Sequence, residues 1–128
     1  MANQVTNIGG MLSAVTTTIA YTNSTAVTIA TLPANAQIVD INIDVTTAFN
    51  AGTTNTVTVG KTGTAAAYVT STSVGSAGRA SVASTGVYSA WADTGSSEVS
   101  ATITYSQTGT AATAGALRVT IVYKYVDV

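Results

Sequence analysis

The nearest approach to a catalytic pair in this chain is Asp40 and Asp44, in Gln-Ile-Val-Asp-Ile-Asn-Ile-Asp-Val-Thr at 37–46. Two carboxylates can divide acid and base work across a glycosidic bond when they stand about 5 to 9.5 Å apart. On an extended strand, residues four apart share a face but are separated by about 13 Å, at ~3.3 Å per residue. One strand cannot hold these two as an acid/base pair, and they read as solvated acids opposite a core face. A calcium site would ask for something like a D-x-D-x-D-G loop, which the stretch does not resemble. Nucleophilic catalysis lacks its base. Serines and threonines abound, but the chain has no histidine and no cysteine, the usual activators of such groups. A Ser–Lys dyad would need Lys61 or Lys124 buried beside a hydroxyl. Lys61 sits in Gly60-Lys-Thr-Gly63, which matches the close of a phosphate-binding loop, but the upstream glycine of that motif would fall where Asn55 stands, and no helix follows. A tight hairpin turn is the expectation there. No catalytic residue, metal ligand or cofactor site is expected anywhere in the chain.

Two other features invite a binding role. The strings Thr16-Thr17-Thr18, Thr56-Val57-Thr58 and Thr102-Ile103-Thr104 suggest an ice-binding face, yet a flat threonine face of that kind needs a solenoid of constant period. Their uneven spacing gives none, so outward strand threonines are the plainer reading. Trp91 is the sole tryptophan. It fits a core position in a sandwich, while an interface anchor and a sugar-stacking platform stay open, since large aromatics dominate both.

Charge is the unusual axis of composition. Only Lys61, Arg79, Arg118 and Lys124 are basic, and only Asp40, Asp44, Asp93, Glu98 and Asp127 are acidic, 7% of the 128 residues; ordinary soluble domains are about a quarter charged. Four scattered cations are too few to displace counterions from nucleic-acid phosphates or to hold an anionic membrane surface. Hydroxyls and amides must hydrate this surface, which suits one that neighbouring molecules cover. Without cysteine the chain carries neither disulfides nor thiolate metal sites, and its redox compartment is open. Met1-Ala-Asn-Gln-Val5 lacks the basic start of a secretory signal, and no stretch approaches the ~20 apolar residues of a membrane span. Synthesis in a cytoplasm is expected, wherever the protein finally acts.

The elements that must carry these residues are strands. Thr, Val, Ile, Tyr and Ser suit pleated strands better than helices, and no segment sustains a helical period. In 37–46 the alternation assigns Val39, Ile41, Ile43 and Val45 to one face and Asp40, Asn42 and Asp44 to the other. Pro33 upstream ends the preceding strand. At 98–106 Val99, Ala101, Ile103 and Tyr105 share a side. At the C-terminus Leu117, Val119, Ile121, Tyr123 and Tyr125 alternate with Arg118, Thr120, Val122, Lys124 and Val126. Weaker strands are expected at 14–21, 25–31, 55–60, 66–71 and 79–84, separated by clusters of Gly, Asn, Ser and Thr. About eight short strands predict an all-β, antiparallel sandwich or small barrel; of these, a jelly-roll-like β-sandwich is the form expected. Residues 1–12 read as a flexible N-terminal arm and 13–128 as one sandwich domain.

The stretch Leu-Pro-Ala-Asn-Ala at 32–36, the alternating run Ile-Val-Asp-Ile-Asn-Ile-Asp-Val-Thr-Thr-Ala-Phe-Asn at 38–50 and Gly-Thr-Thr-Asn-Thr-Val-Thr-Val-Gly at 52–60 together resemble small β-sandwich virion proteins of tailed bacteriophages, of the head decoration, cement or head-fibre type. The resemblance covers about thirty residues and transfers no functional residue. It implies a structural role in a virus particle without placing the chain at one location on it. The first expectation built on that is a capsid decoration or cement protein that bridges neighbouring capsid subunits, at the capsid surface of the virion. Its partners would be the major capsid protein or other virion proteins and further copies of itself, a homotrimer being favoured. The interface candidates are Met1, Ala2, Asn3, Gln4 and Val5 of the arm, together with Trp91. A head-fibre or tail component is the alternative, and a carbohydrate-binding module using Trp91 is the reading from another class.

Overall fold

The computed structural model describes residues 12–81 and 94–125. They form eight strands: β1 Leu12–Ala20, β2 Val27–Leu32, β3 Ala36–Thr47, β4 Thr54–Lys61, β5 Thr64–Ser73, β6 Gly78–Ser81, β7 Val99–Thr108 and β8 Ala116–Tyr125. Two four-stranded sheets result, ordered β1-β8-β3-β6 and β2-β7-β4-β5, and every strand pairing is antiparallel. Successive strands change sheet at every step except β4 to β5. That alternation is the jelly-roll form of the antiparallel sandwich.

The β3–β4 stretch is therefore a corner and not a hairpin, because its two strands belong to opposite sheets. The one hairpin within a sheet is β4–β5. It closes with Lys61 opposite Thr64 across Thr62-Gly63, and Gly63 takes a φ of 86° that a side chain would resist. The expected hairpin at Gly60-Lys-Thr-Gly63 is thus present. Pro33 ends β2 as expected. Asn35 follows it at a φ of 58°, a conformation asparagine tolerates better than most residues, and its N–H donates to the Gly95 carbonyl at 2.8 Å. The Thr94 hydroxyl staples this turn, donating to the Pro33 carbonyl at 2.7 Å and accepting from the Ala36 N–H at 3.1 Å.

Period-two alternation builds the core, since one face of each sheet is buried against the other. From β3 come Ile41, Ile43 and Val45, from β8 Leu117, Val119 and Ile121, and facing them Leu32, Val57, Val59, Val69, Ala101, Ile103 and Tyr105. Tyr123 packs half-buried against this cluster, in line with its assigned face; the side chain of Tyr125 lies outside the described residues. Val39 departs from its assigned face. Pairing with β8 shifts register between Ile38 and Asp40, so Val39 is the extra residue of a β-bulge and is exposed, while Ile38 turns inward. A bulge resets alternation by one residue. A similar shift between β4 and β5 coincides with three successive buried residues, Ala67, Tyr68 and Val69, which explains the weak alternation there.

Burial pushes the phenols of Tyr68 and Tyr105 above their ordinary pKa of 10.0. The folded state then holds these protons more tightly than the unfolded chain. The stability this contributes is fully present below pH 10 and is lost as pH rises from there through the folded pKa values. Thermal melts across the alkaline range are expected to hold their midpoint up to about pH 10 and fall beyond it, and Tyr105→Phe should make that fall shallower.

Candidate interaction surface

One end of the sandwich gathers the connections at 21–26, 48–53, 74–77 and 109–115. Three side-chain amides from the loops and adjoining strands hold two of them, 48–53 and 109–115. The Asn50 Oδ1 accepts from the N–H groups of Thr113 and Ala114 at 2.8 and 2.9 Å, and its Nδ2 donates to the Thr113 hydroxyl at 3.0 Å. The Asn55 Oδ1 accepts from the Ala51 N–H at 2.9 Å and from the Tyr105 hydroxyl at 2.7 Å, while its Nδ2 donates to the Ala51 carbonyl at 3.2 Å. The Gln107 Oε1 accepts from the Ala112 N–H at 2.8 Å. Backbone bonds from Phe49 N–H to Val74 and from Gly52 N–H to Thr110 cross between connections. The Asn50-Ala-Gly-Thr-Thr-Asn55 loop therefore has its shape fixed by hydrogen bonds that need no charge. Asn55→Ala strips the Ala51 N–H of its acceptor and leaves the Tyr105 hydroxyl only the longer contact to the Gln107 Oε1 at 3.4 Å. It is expected to cost about 1–3 kcal/mol, read from urea denaturation.

The two outer faces of the sandwich differ in chemistry. On the β2-β7-β4-β5 sheet, cross-strand register sets Thr54 opposite Thr108, Thr56 opposite Ser106 and Thr58 opposite Thr104, with Thr28 opposite Thr102. The Thr54 and Thr108 hydroxyls are 2.7 Å apart. Val57 and Ile103, between the threonines of their strings, are fully buried, so Thr56, Thr58, Thr102 and Thr104 lie on the opposite side of their strands, where Thr102 is itself buried. Two strings distant in sequence become one hydroxyl patch. Within it the Thr104 Oγ1 is buried without a hydrogen-bond partner.

The β1-β8-β3-β6 sheet carries the charge. Asp40, Asp44, Arg79, Arg118 and Lys124 all belong to its strands, whereas Lys61 and Glu98 complete the charged residues of the described chain. Asp40 and Asp44 share the outer face, as the alternation requires, but they do different work. The Asp40 carboxylate accepts from the Ile41 N–H at 2.8 Å and from the Asn42 amide at 3.0 Å, beside the bulge. Asp44 is ion-paired with Arg118. At this exposure the pair stabilises the fold by about 0–1 kcal/mol. Arg118 and Asp44 are direct cross-strand neighbours, and Asp44 is in turn opposite Arg79. One row across β8, β3 and β6 therefore reads Arg118, Asp44, Arg79. The adjacent row holds Thr16, Thr120 and Asn42, with the two threonine hydroxyls 2.9 Å apart. These six residues line an open groove of about 630 Å³.

With this geometry in hand, comparison with known proteins gives a likeness of fold. The chain superposes on a chain of the cyanophage Pam1 capsid asymmetric unit with a TM-score of 0.74 and 20% identity, covering 98% of this chain and 93% of that one. A chain in the acid-stable capsid of Helicobacter pylori bacteriophage KHP30 gives a TM-score of 0.67 and 14% identity, with 91% and 90% covered. A chain in the capsid of Ralstonia phage GP4 gives 0.64 and 16%, with 100% and 93% covered. No protein-family model and no curated protein matches.

Of the residues singled out from the sequence as interface candidates, Met1, Ala2, Asn3, Gln4, Val5 and Trp91 all lie outside the described residues. The row of Arg118, Asp44 and Arg79 was missed by sequence reasoning. Its members are far apart in the chain and meet only through the pairing of β8 with β3 and of β3 with β6. The only local signal was the outward position of Asp44 and Arg118 on their own strands.

Proposed function

We propose that this chain is a structural protein of a tailed-phage virion, acting as a capsid decoration or cement protein that bridges neighbouring capsid subunits. The observation that carries the reading is the fold likeness: an eight-stranded jelly roll that matches chains in three phage capsids over nine-tenths or more of both lengths. Those chains are thus sandwiches of nearly the same size. The neutral surface supports the same reading. Threonine and serine faces pack against neighbours without long-range repulsion and lose less side-chain entropy on ordering than lysine or glutamate would. A loop end fixed by uncharged amides offers a rigid contact in the same spirit.

In this role the protein works as a homo-oligomer, a trimer being favoured, seated on the capsid surface against the major capsid protein. The arm at Met1, Ala2, Asn3, Gln4 and Val5 reaches across subunit boundaries, and Trp91 anchors the contact. The contribution is added buried area at subunit junctions and greater resistance to internal pressure, with no catalysis. Heads assembled with and without the protein test it: the decorated heads are expected to rupture at a higher temperature, and equal rupture temperatures would sink the cementing role. Copy number separates the alternative. Hundreds per particle fit cement, and a few to a few dozen fit a head-fibre or tail component.

A further inference from the structure

We infer that the groove across β1, β8, β3 and β6 is a docking site for an acidic peptide segment of a partner protein, with the guanidinium groups of Arg79 and Arg118 as its recognition elements. This stands independently of the virion reading, because it follows from the charge and hydrogen-bonding inventory of the groove alone.

Two guanidinium groups face one carboxylate among the six lining residues, so the groove carries a positive excess within a chain whose formal net charge is -1. Asp44 is engaged by Arg118. Arg79 is exposed and stands opposite Asp44 in register, but makes no ion pair among the described residues, where Arg118–Asp44 is the pair present. A guanidinium presents a planar fork of donors that matches a carboxylate in two parallel hydrogen bonds. Arg79 therefore offers an unused fork beside an occupied one. The remaining lining residues, Thr16, Asn42 and Thr120, supply hydroxyls and an amide that can meet the backbone of an extended segment.

The charge distribution over the molecule points the same way. The outer face of the other sheet is a hydroxyl ladder, and its strands hold one charged residue, Lys61 at the end of β4. Charge in this chain is scarce, and among the described residues five of the seven charged side chains lie on the strands of one sheet. A surface whose purpose was solubility would spread its charges; one that selects a partner by complementary potential concentrates them.

The test is a titration of the isotopically labelled full chain with a hexaglutamate peptide, followed by backbone amide NMR at low ionic strength. The expected result is a set of shifts centred on Asn42, Asp44, Arg79, Arg118 and Thr120, with hexalysine leaving them unmoved and added salt weakening the response. Arg79→Gln should weaken binding by roughly two- to fivefold, and Asp44→Asn should tighten it by roughly the same factor, on the scale of one exposed charge pair. Arg79→Lys, which keeps the charge and loses the fork, should fall between Arg79→Gln and the native chain. All are substitutions on an outer face, and unchanged amide dispersion in the core strands verifies the fold. The proposal is overturned by shifts centred elsewhere, by an equal response to hexalysine, or by an Asp44→Asn variant that binds no tighter. Shifts at these amides with an oligogalacturonate but not with hexaglutamate would overturn it too, in favour of an acidic glycan.

Discussion

Replacing Phe49 by alanine is expected to lower the unfolding free energy by about 3–5 kcal/mol, the range for removing a buried aromatic. Among the described residues Phe49 is the largest of the fully buried side chains, and it sits where β3 has ended and the chain turns towards the other sheet. Its ring lies 4.6 Å from that of Tyr105, tilted at 46°, within the range where edge-to-face and offset aromatic pairs add to plain burial. The same Tyr105 donates its hydroxyl to Asn55. Loss of the Phe49 ring therefore opens a cavity beside the group that fixes the loop end. Equilibrium urea denaturation measures the cost, and Phe49→Leu, which refills most of the space, should recover more than half of it. A cost below about 1 kcal/mol for the alanine variant would mean that the corner collapses onto the void.

Gly60→Ala carries the second large effect, expected at about 3 kcal/mol, the upper end of the range for overpacking a closed site. A Cβ placed on Gly60 would stand 2.1 Å from the Thr64 carbonyl oxygen and 2.5 Å from the Ala65 carbonyl carbon. Both obstacles are backbone, so no side chain can swing aside to relieve them. Only separation of β4 from β5 does so, at the hairpin and where their register already shifts. A fall in Tm on the order of 10 °C is expected. Hydrogen exchange should show the loss of protection concentrated in β4 and β5, with β3 and β8 retaining theirs. Gly60→Ala with an unchanged melting point would contradict this packing.

Much of this architecture could be read from residue order, and the failures have local causes. Each expected strand has a counterpart among the described residues, with 82–84 of the strand expected at 79–84 lying outside them, because period-two patterning and Gly/Asn punctuation are local properties. Val39 was placed inward since a β-bulge leaves the composition of a strand unchanged while shifting its phase. That β3 and β4 lie in opposite sheets was not legible, because a loop sequence does not reveal whether its two strands share a sheet. The groove was the least legible part. Asp44 and Arg118 each stood on a readable outward face, yet their pairing, and the placement of Arg79 beside them, depends on which strands become neighbours. The hydroxyl patch was hidden for the same reason: Thr56-Val57-Thr58 and Thr102-Ile103-Thr104 meet only through the β4–β7 register.

The pairing of β1 with β8 bears on how the molecule comes to exist. The first described strand finds its hydrogen-bonded neighbour in the last, and β3, in the middle of the chain, also has β8 along one side. A nascent chain emerging at about 5–20 residues per second would hold β1 and one edge of β3 unpaired until residues 116–125 are free. Loop closure over such a span must be met before its contacts repay it, which places this topology among the slower folders. During that interval the apolar strands are open to mispairing with other copies. Removal of residues 116–125 should therefore yield aggregated rather than loosely folded protein, since the sheet would lose one of its two interior strands and not an edge.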